Sequence, residues 1–302
     1  MRYKMLVLDI DGTLLNSKVI LNREVKKAIN YAKQQGLIVT IATGRFYYAA
    51  VSPARIIGIN APLIANDGAQ IQDVFTDKVY SFTPIPLDTA REIVEVMEKY
   101  PLELQVFLKD RKIYAGKCYQ IAQIKKYFRR GRRYNLKGFY NYVRDFVFGG
   151  PTVSAGNIQG VLKNMTAPPA KIVVYGDKQP LQELRNELTS RFKGRVDLTS
   201  AIPRYMDILP PGVSKVSGIQ FVANMFNIKR EEIIAVGDNF NDLAMIEYAG
   251  LGVAMGNAPE SVKQKANFVT DSNDENGIVK VVKQFIYDYS IRPVKTGKSG
   301  YF

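Results

Sequence analysis

The 302-residue chain has no histidine and a single cysteine, Cys118. Without histidine there is no serine–histidine or cysteine–histidine nucleophile, no histidine-ligated zinc and no imidazole acid–base chemistry. One cysteine allows no internal disulfide and fits a reducing compartment. No apolar run approaches the roughly 18 residues of a membrane span. The opening MRYKMLVLDIDG turns acidic at Asp9, where a signal peptide would stay apolar, so the expected location is cytoplasmic. Any catalysis falls to carboxylates, lysine, hydroxyls, tyrosine or a hard metal ion held by oxygen.

What is present is ordinary globular material. Hydrophobic residues make up 46% and charged residues 23%, which excludes disordered and fibrous classes. At about 100–200 residues per domain the length predicts two domains. The formal net charge of +14 is unevenly spread: residues 1–83 carry +4, residues 84–205 carry +11 and residues 206–302 carry −1. The basic excess therefore belongs to the middle third.

Short apolar runs at 5–8, 37–42, 62–65 and 233–236 end in polar residues, as buried parallel strands do. Helical spacing at 23–35 lies between the first two. This is the pattern of a doubly wound α/β sheet, whose ligands sit outside the carboxyl ends of the strands. Near FTPIP (82–86) the pattern changes. A helix over 87–99 is followed by strands at 103–108 and 112–115, a basic helical segment from Tyr119, a strand at 171–175, a helix at 179–192 and strands at 195–200 and 205–209. Helix resumes at 213–226, with further βα units to about residue 289. The expectation is a discontinuous α/β core, 1–83 and 206–302, with an α+β domain of residues 84–205 inserted into it. The polar tail 292–302 is expected to be mobile, as is the glycine-rich stretch 149–160, which lacks the Gly-Lys-Ser/Thr of a P-loop.

Four strand-end or helix-start elements carry chemistry. Asp9-Ile10-Asp11-Gly12-Thr13 places two carboxylates where the chain leaves the sheet, with Gly12 permitting a sharp turn and a close approach to a ligand. One carboxylate can attack phosphorus and the other can act as general acid and base; taken alone, an acidic turn capping a helix is the plainer alternative. Thr43-Gly44-Arg45 offers a hydroxyl and free amides for an anion, or a simple N-cap. Lys215, at the start of a helix, can place an ammonium on the same anion. Gly237-Asp238-Asn239-Phe240-Asn241-Asp242 offers oxygen ligands of the kind Mg²⁺ takes, or a solvated loop.

In this order the four elements resemble the haloacid dehalogenase (HAD) superfamily, and more closely its Cof-type phosphatases, which carry a large (C2-type) cap. The resemblance rests on LDIDGTLL (8–15), IATGR (41–45), IANDGA (64–69), DILPPGVSKVSGI (207–219), IIAVGDNFNDLAMIEYAGLGVAMGNA (233–258) and DENGIV (274–279). It implies a Rossmann-like core and a cap that selects the substrate. Asp9 would be the nucleophile and Asp11 the general acid and base. Mg²⁺ would be held by Asp9, the Asp11 carbonyl and Asp238, with Asp242 as a ligand or behind one. Thr43, Gly44 and Lys215 would bind the phosphoryl oxygens, with Asn241 and the Gly12 amide nearby. Arg45 and the Asn66-Asp67-Gly68 turn would face the cap and the leaving group.

The implied activity is Mg²⁺-dependent hydrolysis of a small phosphorylated metabolite through an aspartyl-phosphate. A sugar phosphate, a bisphosphate or a phosphorylated cofactor or nucleotide would each fit. Two alternatives stand beside it. One is a phosphomutase on the same core. The other is a nucleic-acid-binding protein using residues 123–144, where eight basic residues and no acid alternate with Tyr127, Phe128, Tyr134, Phe139, Tyr140 and Tyr142. The plainer expectation for that segment is a solvated basic face over aromatic cap core.

Overall fold

The computed structural model describes residues 2–129, 136–200 and 204–286. Arg130, Arg132, Arg133 and Tyr134 of the basic segment, and the tail 292–302, lie outside the described residues. Fourteen strands are described: β1 (Met5–Leu8), β2 (Ile38–Ile41), β3 (Leu63–Ala65), β4 (Gln70–Gln72), β5 (Val79–Phe82), β6 (Glu103–Phe107), β7 (Lys112–Tyr114), β8 (Thr152–Ser154), β9 (Lys171–Tyr175), β10 (Asp197–Thr199), β11 (Tyr205–Leu209), β12 (Ile233–Gly237), β13 (Leu251–Ala254) and β14 (Phe268–Val269).

The first sheet is parallel throughout, in the order β14-β13-β12-β1-β2, with the N-terminal strand held between β12 and β2. Successive side chains of β1 go to opposite faces. Leu6 and Leu8 join a core with Val39, Ile41, Ile234 and Val236, closed by helices Arg23–Gln34 and Gly277–Phe285. Met5 and Val7 join a second core with Ile233 and Ala235, closed by helices Lys215–Met225 and Leu243–Tyr248. A strand buried on both faces must be apolar along its whole length, which is why these strands read so plainly as runs. The run expected at 62–65 does form a buried strand, β3, but it touches β2 only through the parallel bridge Ala42–Ile64. It pairs antiparallel with β4 in a separate sheet β3-β4-β5, whose short strands β4 and β5 are not foreseen from the sequence.

The second large sheet is mixed, in the order β10-β11-β9-β6-β7-β8. Its own core is formed by helices Leu87–Val96 and Lys178–Arg191 against Leu104, Val106, Ile172, Val174, Met206 and Ile208. β11 pairs with β9 and β10 over Tyr205–Leu209, so a boundary at 205/206 passes through a strand of this sheet. The glycine-rich stretch 149–160 contains β8 and the first turn of helix Ile158–Asn164. That corrects the expectation of a loop. Asn157 caps this helix by accepting from the Gly160 N–H, and Val161 and Leu162 bury beneath it. Among the described residues no helix is long and apolar enough to cross a membrane.

Candidate active site

The carboxyl ends of β1, β2 and β12 converge below the mixed sheet. After β1, Ile10 enters the main core, and the backbone folds back so that Leu14 N–H donates to Asp9 O and Leu15 N–H to Ile10 O. This leaves Asp9 buried at the strand end and Asp11 partly exposed. Gly12 has φ +88°, and a Cβ there would overlap the Asp238 carboxylate. The close approach of the two strand-end loops therefore requires glycine.

A buried network joins the loops. Lys215 Nζ donates to Asp9 Oδ1 at 2.7 Å and to Asp242 Oδ1 at 2.6 Å. It starts a helix whose capping box links Ser214 and Ser217. The other oxygen of Asp242 accepts the N–H groups of Asp238 and Asn239, each at 3.0 Å. Thr13 Oγ1 donates to Asp238 Oδ1 at 2.8 Å. Asp9, Asp238 and Asp242 each bring a carboxylate oxygen within 4.8 Å of the others.

Burial pushes the Asp9 carboxyl up, and the charges of Asp242 and Asp11 add to this against the pull of Lys215; the value reaches about 7. Asp238 rises for the same reasons, burial first and then Asp9 and Asp242. Burial alone would push the Lys215 ammonium down, but Asp242, Asp9 and Asp67 overcome it and the net shift is upward. Buried carboxylates that resist ionisation together call for more positive charge than one ammonium supplies. All-oxygen donors with that charge deficit fit a Mg²⁺ ion.

The loop after β2 is interlocked with the turn after β3. Asp67 N–H donates to Thr43 O and Asn66 N–H to Arg45 O, both at 3.0 Å. Arg45 Nε and Nη2 donate to the two oxygens of Asp11 at 2.6 and 2.7 Å, a bidentate pair. The same guanidinium lies 3.5 Å from Asp145 of the cap region and 4.4 Å above the Phe146 ring. Lys171 Nζ donates to Asp67 Oδ2 at 2.6 Å and pairs with Asp207 at 3.1 Å. Burial raises the Asp67 carboxyl, but Lys171 and Lys215 hold it below the usual carboxylate range.

A cavity of about 570 Å³ lies between the two sheets. Of the residues anticipated from sequence, Asp9, Asp11, Thr43, Gly44, Arg45 and Asn241 line it. Lys215 and Asp242 are buried behind Asp9, and Gly12 and Asp238 are held together beside it. The Asn66-Asp67-Gly68 turn does not line the cavity. Asn66 donates to Gln70 at 3.0 Å and Asp67 meets the mixed sheet through Lys171. Lys112, Lys171, Asp207 and Asp145 were not singled out from sequence, being lone charges in strands or at the edge of a basic segment. Within that segment Tyr127 and Tyr142 are buried with Val147, and Arg144 pairs with Asp145 at 2.6 Å. Tyr127 and Tyr142 thus serve a local core, while Phe128 and Tyr140 of the same segment are exposed.

A family model described as haloacid dehalogenase-like hydrolase matches residues 6–282. The stress response protein YhaX of Bacillus subtilis is 32% identical over 286 residues, covering 94% of each chain. The 5-amino-6-(5-phospho-D-ribitylamino)uracil phosphatase YitU of the same organism is 26% identical over 290 residues, covering 93% of this chain and 97% of that one. A solved haloacid dehalogenase-like hydrolase from B. subtilis superposes with a TM-score of 0.80 at 26% identity, covering 94% of this chain and 100% of that one.

Proposed function

The chain belongs to the haloacid dehalogenase-like hydrolases and is a phosphatase of small phosphorylated molecules, and from that premise we propose that Asp9 is its covalent nucleophile in Mg²⁺-dependent phosphomonoester hydrolysis. The observation that carries this reading is Asp9 itself: a buried carboxylate at the end of β1, opening on the cavity and backed by Lys215.

The reaction follows from the groups around it. An Asp9 carboxylate oxygen forms a bond to phosphorus as the bond to the leaving oxygen breaks. Asp11, once out of its pair with Arg45 and protonated, supplies a proton to that oxygen, which departs as an alcohol. Asp11 then takes a proton from water as the water attacks phosphorus, and the Asp9–phosphorus bond breaks to release phosphate. Lys215, from behind Asp9, and the Gly44 amide would stabilise the negative charge that gathers on the equatorial oxygens, the Thr43 N–H being taken by Ile64 O and the Arg45 N–H by Thr43 Oγ1. Asp9, Asp238 and the Asp11 carbonyl would hold the ion. Asp242 has both oxygens engaged, one by Lys215 and the other by two N–H groups, and anchors the ligands from behind. When bound, Mg²⁺ offsets the repulsion between the anionic nucleophile and the anionic phosphate.

We further propose a division into a core and a cap that crosses after Phe82 and returns after Leu209, so that the whole mixed sheet belongs to the cap. Lys171, Asp145 and Phe107 come from the cap and rest on Asp67, Arg45 and Phe46 of the core. Such a seat excludes water and favours a small substrate enclosed in the cavity. Hydrolysis of a panel of phosphomonoesters, with Mg²⁺ and after EDTA, tests the proposal. Turnover that needs the metal and is lost in Asp9→Asn supports it; turnover unaffected by either change refutes it.

A further inference from the structure

The cavity extends from Asp9 to a wall formed by the mixed sheet and the helix Tyr119–Arg129, and Lys112 stands in that wall. Its side chain is buried, with only 2% of the residue exposed. Nζ donates to the Tyr119 hydroxyl at 2.9 Å and lies over the rings of Tyr119, at 4.3 Å, and Phe46, at 5.4 Å. The two other buried lysines, Lys171 and Lys215, each hold two carboxylates. Lys112 forms an ion pair with none among the described residues. Burial pushes its ammonium down to about 7. A buried cation without a counterion is costly, and an apolar side chain would suit the same place better in the free protein.

We propose that Lys112, with Tyr119 and Gln123, forms a subsite for a second anionic group on the substrate, so that this phosphatase prefers phosphomonoesters bearing another phosphate or a carboxylate. The proposal rests on the cavity being the phosphatase site and deepens that reading. An anion placed there supplies the missing counterion and restores the charged ammonium. Since Tyr119 accepts from Lys112, its own O–H is left to donate. Gln123 Oε1 accepts the Tyr142 hydroxyl at 3.2 Å, which keeps the amide nitrogen as a further donor. Lys112 belongs to the strongly basic stretch 84–205, whose charge of +11 favours polyanionic ligands.

The test measures inhibition of p-nitrophenyl phosphate hydrolysis by two matched pairs. Fructose 1,6-bisphosphate against fructose 6-phosphate adds a phosphate. 3-Phosphoglycerate against glycerol 3-phosphate adds a carboxylate. In the wild type the charged member of at least one pair is expected to bind about tenfold or more tighter, and the pair that shows it identifies the anion. Lys112→Met should bring that ratio close to one. Equal binding within both wild-type pairs overturns the proposal, as does a ratio that survives in Lys112→Met. The uninhibited rate and its loss in Asp9→Asn report separately on the phosphatase reading, so the two failures are distinguishable.

Discussion

Lys215 Nζ sits 2.7 Å from Asp9 Oδ1 and 2.6 Å from Asp242 Oδ1, so a single buried ammonium ties the end of β1 to the turn after β12. Each neighbouring charge depends on it. Lys215→Met is expected to lower kcat by about 10²–10³-fold, as loss of one preorganised donor does. It should also push Asp9 further up, moving the acidic limb of the pH–rate profile to higher pH. Stopped-flow or steady-state rates across pH 5–9 check both effects.

Gly12 and Asp238 form the tightest junction in the proposed metal site. An alanine at position 12 would need φ near +88° and would overlap the Asp238 carboxylate. Gly12→Ala is therefore expected to raise the Mg²⁺ concentration for half-maximal rate by about 10–100-fold, the usual effect of disturbing groups that orient metal ligands. Asp238→Ala should raise it further. A metal titration of the phosphatase rate gives the answer.

Arg45 grips Asp11 through two nitrogens and reaches Asp145 with a third. A lysine supplies a point charge and cannot reproduce that fork. Arg45→Lys is expected to cost about tenfold or more in kcat/KM with little rescue over Arg45→Ala. Comparing the two variants on one substrate separates fork geometry from charge.

Lys112 carries a pH signature of its own. In the folded protein the ammonium is pushed from 10.5 down to about 7, so the unfolded chain binds the proton more tightly. The penalty is full below about pH 7, shrinks as pH rises and is gone above about 10. Lys112→Met should thus stabilise the free protein by an amount on the order of a few kcal/mol at pH 6 and by little at pH 10. Thermal unfolding at the two pH values measures the difference.

The sequence disclosed the centre of the molecule better than its lid. β1, β2 and β12 are buried on both faces and end in carboxylates or hydroxyls, so their runs and their last residues were both readable. That placed Asp9, Asp11, Thr43 and Asp238 at one end of a sheet, while Lys215 was read from the start of a helix. The cap offered no such signal. Lys171 and Asp207 are single charges within strands, and their meaning comes only from pairing with each other and with Asp67 across the interface. Lys112 reads as an ordinary surface lysine because only the fold buries it. Glycines suggested a loop over 149–160, where the Asn157 cap and the β7–β8 pairing instead give order.

The central claim is that Asp9 carries the phosphoryl group, and the most direct measurement compares wild type with Asp9→Asn on a phosphomonoester the wild type hydrolyses, at saturating Mg²⁺. Asparagine keeps the shape of the site and removes the nucleophilic charge. The expected result is a rate lower by about 10³-fold or more with thermal stability retained. A variant that folds normally and keeps a tenth of the wild-type rate would contradict the assignment.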